Sequence, residues 1–287
     1  MAEPDTTSDR RGNELCRRGR RRAVAAGLSL LLLCACASPA EHFDATAHEL
    51  GFAPQIVTGV GYRHVLFWKP GPTLSPLLHV YIDGDGTLTI AGYAVPDPTS
   101  RDPLTLRLMN LDPAAAVLLG RPCYNGLAGD AGCEPAVWTT GRYADAVVTS
   151  MAAVVRGILA QGPYRRVAWF GHSGGGSLAM LLAARIPETV AVVTVAANLD
   201  IDAWSDASGF GRLTGSLNPA RQPPLPDSIL QHHYAGQRDE VVPPSITALG
   251  VRRAADLTVV PDYDHRCCWE QLWPKILSDL SKSGIGP

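Results

Sequence analysis

The sequence predicts an α/β protein with a mostly parallel central sheet and helices on both faces. Three observations point there. Apolar runs without polar alternation recur at Leu77 to Ile82, Ala115 to Leu119, Arg166 to Phe170 and Thr189 to Ala197, the pattern of strands covered on both sides. Segments with helical spacing separate them. One junction reads as strand, sharp turn and helix: Val167 to Phe170, then Gly171-His172-Ser173-Gly174-Gly175-Gly176, then Leu178 to Ala184.

The chain has 287 residues, 46% of them hydrophobic and 18% charged, with room for a large core. No internal repeat or sustained heptad interrupts it. The net charge of −2 excludes the basic footprint of a nucleic-acid-binding protein. No protein partner is inferable.

The front end differs in composition. Seven arginines between Arg10 and Arg22 precede an apolar run, Ala23 to Leu33, and then Cys34-Ala35-Cys36-Ala37-Ser38. A basic start, a short apolar core and small residues predict a secretory signal over residues 1–36. The core is too short to favour a spanning helix. Leu33-Cys34-Ala35-Cys36 resembles a bacterial lipobox, which implies lipidation of Cys36, a lipid anchor in the membrane and a place in the cell envelope. Simple cleavage after Ala35 or Ala37 is the alternative. The paired arginines lack the hydrophobic pattern of twin-arginine export, so the general secretory route is expected. Without residues 1–36, 18 basic and 23 acidic residues remain, a net charge of −5.

Residues 37–54 are small, polar and acidic and read as a tether. The domain is expected over 55–287. Gln55 to Thr58 and His64 to Trp68 are β-branched and aromatic runs. Leu77 to Ile82 ends in Asp83-Gly84-Asp85-Gly86. Arg101 to Met109 has helical spacing, and Ala115 to Leu119 is strand-like. Cys123 and Cys133 flank a loop rich in Gly, Asn, Ala and Asp, so a local disulfide is expected in an oxidising compartment. Ala144 to Ala160 is amphipathic and ends at Gly162-Pro163. Two strands, Ile229 to Ala235 and Asp256 to Val260, and a helix, Cys268 to Leu280, close the chain. Between strands, residues 201–227 read as a long loop or small cap at the sheet's carboxyl edge, where ligands bind in open α/β sheets.

Serine is a weak nucleophile at neutral pH. It needs a base to take its proton and an acid to orient the base. Ser173 lies at the tip of a G-x-S-x-G turn, with helix N–H groups beginning just behind it. The same glycines lack the spacing and lysine of a phosphate loop. Asp83 and Asp85 lack the further ligands of a calcium loop, and no C-x-x-C pair supports zinc, so no metal or other cofactor is expected.

Strand, elbow and helix in this setting resemble the α/β-hydrolase fold. The resemblance implies a triad in the order serine, acid, histidine. His265, in the loop after Asp256 to Val260, is the one histidine after Asp239. Asp239 lies in Gly236-Gln237-Arg238-Asp239-Glu240-Val241-Val242-Pro243, similar to the Gly-x-x-Asp-x-x-Val-Pro segment of the family. Glu240, Asp200 and Asp202 are weaker acids for the role. His172, beside the serine, is not expected to be the base. The resemblance also implies an oxyanion hole from the Gly174 N–H and a second N–H at Gly84 or Asp85. Two aspartates so near an oxyanion should turn away or be paired, by Arg121 or Arg101.

Closer in, Arg121-Pro122-Cys123, Ala197-Asn198-Leu199-Asp200 and Gly215-Ser216-Leu217-Asn218-Pro219, with the motifs above, resemble a group of bacterial α/β-hydrolase lipoproteins of unassigned substrate. The implied activity is serine esterase action on a small acyl ester. A thioesterase, an amidase or peptidase, or a non-catalytic envelope lipoprotein using the fold for binding are the alternatives. The pocket is expected under residues 201–227 and beside the Cys123 to Trp138 loop.

Overall fold

The computed structural model describes residues 37–71 and 75–286. The expected signal segment and Cys36 lie outside the described residues. A domain begins at Ser38. Ser38 caps the first helix, α1 (Pro39–Glu49), in a reciprocal capping box: its Oγ accepts from the Glu41 N–H at 3.2 Å, and Glu41 accepts from the Ser38 N–H at 2.6 Å. Phe43 and Ala47 share one face of α1 and are buried, with Phe43 tilted against Phe67 at 5.5 Å. The expected tether is therefore corrected: residues 39–49 are a docked helix. The polar composition concealed the Ser-x-x-Glu start and the i, i+4 pair of apolar residues behind it.

Eight strands form one sheet. In chain order they are β1 (Pro54–Thr58), β2 (Arg63–Lys69), β3 (Leu77–Ile82), β6 (Ala116–Leu119), β7 (Arg166–His172), β8 (Thr189–Val195), β9 (Leu230–Gly236) and β10 (Leu257–Val260). Their spatial order is β1-β2-β6-β3-β7-β8-β9-β10. β1–β2 and β2–β6 are antiparallel, and every other pairing is parallel. The central strands β3 and β7 are buried along nearly their whole length, which is why their sequences show no polar alternation.

The two sheet faces carry separate apolar layers. On one, α4 (Asp145–Gln161) and α5 (Gly174–Ala183) pack through Val147, Met151, Leu178 and Leu182 onto Leu78, Val80 and Trp169. On the other, α1, α2 (Leu104–Asn110) and α8 (Trp269–Lys282) cover Tyr81, Phe170 and Val193. The remaining helices are short: α3 (Pro135–Trp138), α6 (Ile201–Ser208) and α7 (Pro244–Gly250). No helix among the described residues is long and apolar enough to cross a membrane.

A small hairpin, β4 (Thr89–Ile90) and β5 (Tyr93–Ala94), has no counterpart in the sequence reading. Ala91 and Gly92 turn it with positive φ at both residues, the geometry that suits a two-residue hairpin. Cys123 and Cys133 form a disulfide across the loop before α3, with Cα atoms 5.5 Å apart. Cys267 and Cys268 are also joined.

Candidate active site

Strand β7 delivers the serine. Ser173 sits between β7 and α5 with φ 53° and ψ −126°, a backbone region that L residues rarely occupy. The elbow closes only because its neighbours lack side chains. A Cβ at Gly171 would stand 2.5 Å from the backbone of Gly175 and Gly176, and one at Gly175 would stand 2.6 Å from the Asp83 carbonyl. Strand, turn and helix thus touch backbone to backbone, lifting the serine above the carboxyl edge of the sheet.

Three loops from that edge meet at its hydroxyl. His265 Nε2 lies 3.0 Å from Ser173 Oγ, and His265 Nδ1 lies 2.9 Å from Asp239 Oδ2. The other Asp239 oxygen accepts from the Val241 and Val242 N–H groups at 2.9 and 2.8 Å. Asp239 is 3% exposed, so both carboxylate oxygens are held and the one aimed at His265 cannot rotate away. The histidine loop is held from below: the Arg238 N–H donates to the Tyr263 carbonyl at 2.8 Å, and Asp264 accepts from the Arg266 and Cys267 N–H groups. The structure therefore brings together the three residues the sequence singles out.

The weaker acids lie elsewhere. Asp200 caps α6 and accepts from Asn218 Nδ2 at 2.8 Å. Asn218 also donates to Asp202 at 2.9 Å. Glu240 is exposed.

Gly84, Asp85 and Gly174 line the cleft beside Ser173. A Cβ on Gly84 would come within 3.4 Å of the Ser173 Cβ. The Gly84 N–H leans toward the Asp83 carboxylate. The N–H groups of Asp85 and Gly174 have no acceptor among the described residues. Asp85 is paired, as its position demands, but by Arg121 and Arg142 rather than Arg101. Its two oxygens lie 2.7 Å from Arg121 Nη1 and 2.7 Å from Arg142 Nε, and Tyr143 Oη donates to it at 2.6 Å. Burial would raise this carboxyl, but the two guanidiniums and the tyrosine hold it below the usual carboxylate value. Asp83 has no such clamp. Burial pushes its pKa up to about 6, only partly countered by the Thr105 hydroxyl that donates to it at 2.6 Å.

Two contributors escaped the sequence reading. His172 is buried, and its Nε2–H donates to the His265 carbonyl at 2.9 Å. Burial, then the nearness of His265, drives its pKa down to about 4, so it is neutral at physiological pH. Arg142 reaches the cleft wall from the turn before α4, with its guanidinium over the Trp204 ring at 5.6 Å. His172 fills the variable position of the elbow and Arg142 belongs to no recognisable motif; only the fold gives them their partners.

The cleft has a volume of about 440 Å³. Leu88, Trp204, Phe210 and Val241 give it an apolar side. Trp204 and Phe210 come from residues 201–227, as expected. The Cys123 to Trp138 loop does not line it. Residues 84–89 and 100–102 do, so that expectation is corrected: the disulfide loop packs instead around Tyr124 and Trp138. Among the described residues no cluster of three metal-ligating side chains occurs.

This sheet order, elbow and three-loop convergence define the α/β-hydrolase fold. Solved structures of that fold superpose on most of the chain. The Pyrococcus furiosus esterase PF2001 aligns with a TM-score of 0.56 at 13% identity, over 83% of this chain and 93% of its own. XC6422 from Xanthomonas campestris, described as an α/β serine hydrolase without lid, aligns with a TM-score of 0.53 at 14% identity, over 81% and 94%. Mouse α/β hydrolase domain-containing protein 10 aligns with a TM-score of 0.54 at 15% identity, over 80% and 99%. No protein-family model matches the sequence, and no curated protein matches it.

Proposed function

We propose that this protein is an exported serine hydrolase that cleaves carboxylic esters through an acyl-enzyme. The observation that carries the reading is the unbroken relay Ser173–His265–Asp239, with steps of 3.0 and 2.9 Å. His265 takes the Ser173 proton as Oγ attacks the ester carbonyl. Asp239 holds the imidazole in the tautomer that presents a free Nε2 and stabilises the imidazolium that forms. The unoccupied Gly174 and Asp85 N–H groups hold the developing oxyanion, the first of them at the start of a helix. His265 then protonates the leaving alcohol. Water, deprotonated by the same histidine, releases the acid.

The esterase and serine hydrolase among the structural neighbours agree with this reading. So does the half-apolar cleft, sized for a small molecule. Export and lipidation of Cys36 remain part of the proposal on the strength of the first 36 residues. With α1 beginning at Pro39, such an anchor would hold the domain close to its membrane.

A fluorophosphonate probe tests the chemistry. It should label the wild type and not Ser173→Ala, and p-nitrophenyl butyrate should be hydrolysed only by the former. A folded wild type that resists the probe and leaves the ester intact would mean a binding protein on a hydrolase scaffold. The mass of the mature N-terminus tests the anchor: an unmodified Cys36 overturns it.

A further inference from the structure

We infer that the substrate carries a negative charge beside the scissile ester, read by Arg101 and Arg266 at the cleft mouth with Arg142 in its wall. The inference rests on the ester-hydrolase reading above and narrows it to a substrate class: anionic esters, whose charge is a carboxylate on the acyl part or a phosphate on the alcohol part.

The cleft differs in charge from the rest of the domain. The domain as a whole is acidic, with 18 basic and 23 acidic residues from position 37 onward. The cleft is the opposite. Three arginines line it, against two aspartates. Both aspartates are already satisfied by cations. Asp102 is 2.7 Å from Arg107, which also binds Glu270. Asp85 serves two arginines at once, Arg121 behind the wall and Arg142 in it. One carboxylate facing two guanidiniums leaves a positive charge at the wall, offset by the two carboxylates that share Arg107, so the excess in the cleft rests on Arg101 and Arg266. Arg101 and Arg266 are exposed, and neither guanidinium has a carboxylate partner among the described residues. Asp264, the acid nearest Arg266 in the chain, spends one oxygen on the Arg266 and Cys267 N–H groups.

The two free arginines also stand in the right places. Arg266 follows the base His265 directly. Arg101 precedes Asp102 on another segment that lines the same cleft. An anion entering between them meets Ser173 beneath and the apolar Trp204–Phe210 pair to one side. A concave lining with an excess of one sign focuses potential inward, raising the capture rate of an oppositely charged ligand and making it salt-sensitive. A neutral ester gains nothing from this arrangement.

The test compares matched esters that share the p-nitrophenolate leaving group: the neutral butyrate and the monoanionic hemiglutarate. For the alcohol side, neutral monoacetyl glycerol is compared with acetylated glycerol phosphate. The wild type should favour one anionic member over its neutral match by about tenfold or more in kcat/KM. That ratio should shrink severalfold as NaCl rises from 20 to 500 mM. It should collapse toward one in the Arg101→Ala/Arg266→Ala variant, while Arg156→Ala, on α4 outside the cleft, keeps the wild-type ratio. Which pair shows the preference tells carboxylate from phosphate. Turnover of the neutral esters with no anionic preference in either pair overturns the inference and leaves the hydrolase reading standing. No turnover of any ester, together with no fluorophosphonate labelling, removes both.

Discussion

The imidazole of His172 packs beside that of His265, ring centres 5.0 Å apart, and donates to the His265 carbonyl. The residue next to the nucleophile thereby holds the backbone of the residue that activates it. His172 does not take the serine proton: burial, then the nearness of His265, lowers its pKa to about 4, and the Ser173 hydroxyl is already bonded to His265. Its role is positional. Replacing it with Phe keeps the ring volume and removes the donor, and kcat should fall about tenfold with KM little changed. Gln supplies a donor again and should recover part of the loss. Steady-state kinetics on a single ester resolves the split; a fall in KM-dependent terms alone would argue against positioning.

Asp239 makes a sharper prediction. Asn in its place can still accept from the Val241 and Val242 N–H groups, so the loop should persist. The amide cannot enforce the histidine tautomer that leaves Nε2 free. A loss of about 10³–10⁴ in kcat is expected, with the unfolding midpoint nearly unchanged. Activity within tenfold of wild type would transfer the acid's role to another carboxylate.

Much of this site was legible from the chain. The elbow announced itself because its glycines are demanded locally, and the apolar runs of β3, β7 and β8 can only be buried strands. Asp239 and His265 followed from the serine, acid, histidine order that the resemblance implied. What stayed hidden has a common cause. α1 is betrayed only by Ser38, Glu41 and a pair of apolar residues in an otherwise polar stretch. The β4–β5 hairpin rests on two residues a side and a turn through Ala91, which propensity does not favour. His172 and Arg142 act through contacts more than 50 residues away in sequence, made by side chains to which no motif assigns a role. Local patterns specify elements; side-chain partners across the carboxyl edge are a property of their assembly.

Asp85 joins stability to catalysis. It is the shared counter-charge of two guanidiniums that are each only 4% exposed. Ala there would leave both cations without a counter-charge in a nearly closed space, at a cost of about 3–5 kcal/mol. Urea unfolding should show the loss at pH 7. Because Asp85 is held below its ordinary pKa, its stabilisation is present at neutral pH and lost as the carboxyl protonates in acid. Wild type and variant should therefore converge at low pH. A constant gap across the pH range would mean that lost packing, not charge, explains the variant.

The remaining titrating groups set an acid limit on the fold. Burial drives His172 and His233 each down to about 4, against an ordinary value of 6.5. As pH falls below 6.5 the unfolded chain takes these protons while the folded chain cannot, so stability drops between about pH 6.5 and 4. Asp83 works the other way over nearly the same range. Its folded pKa of about 6 lies above the ordinary 3.8, so the folded chain gains its proton first and recovers part of the loss. These two histidines, with His64 lowered by burial in the same sense, outweigh the one aspartate and leave a net decline. Asp83→Asn removes the offsetting group. It should raise the urea midpoint at pH 8, where the charged form is disfavoured by burial, and steepen the fall toward pH 5. His233→Gln can keep the 2.9 Å bond to the Thr194 hydroxyl without titrating, and should flatten the same fall. If both variants track the wild-type slope, the acid sensitivity belongs to other groups.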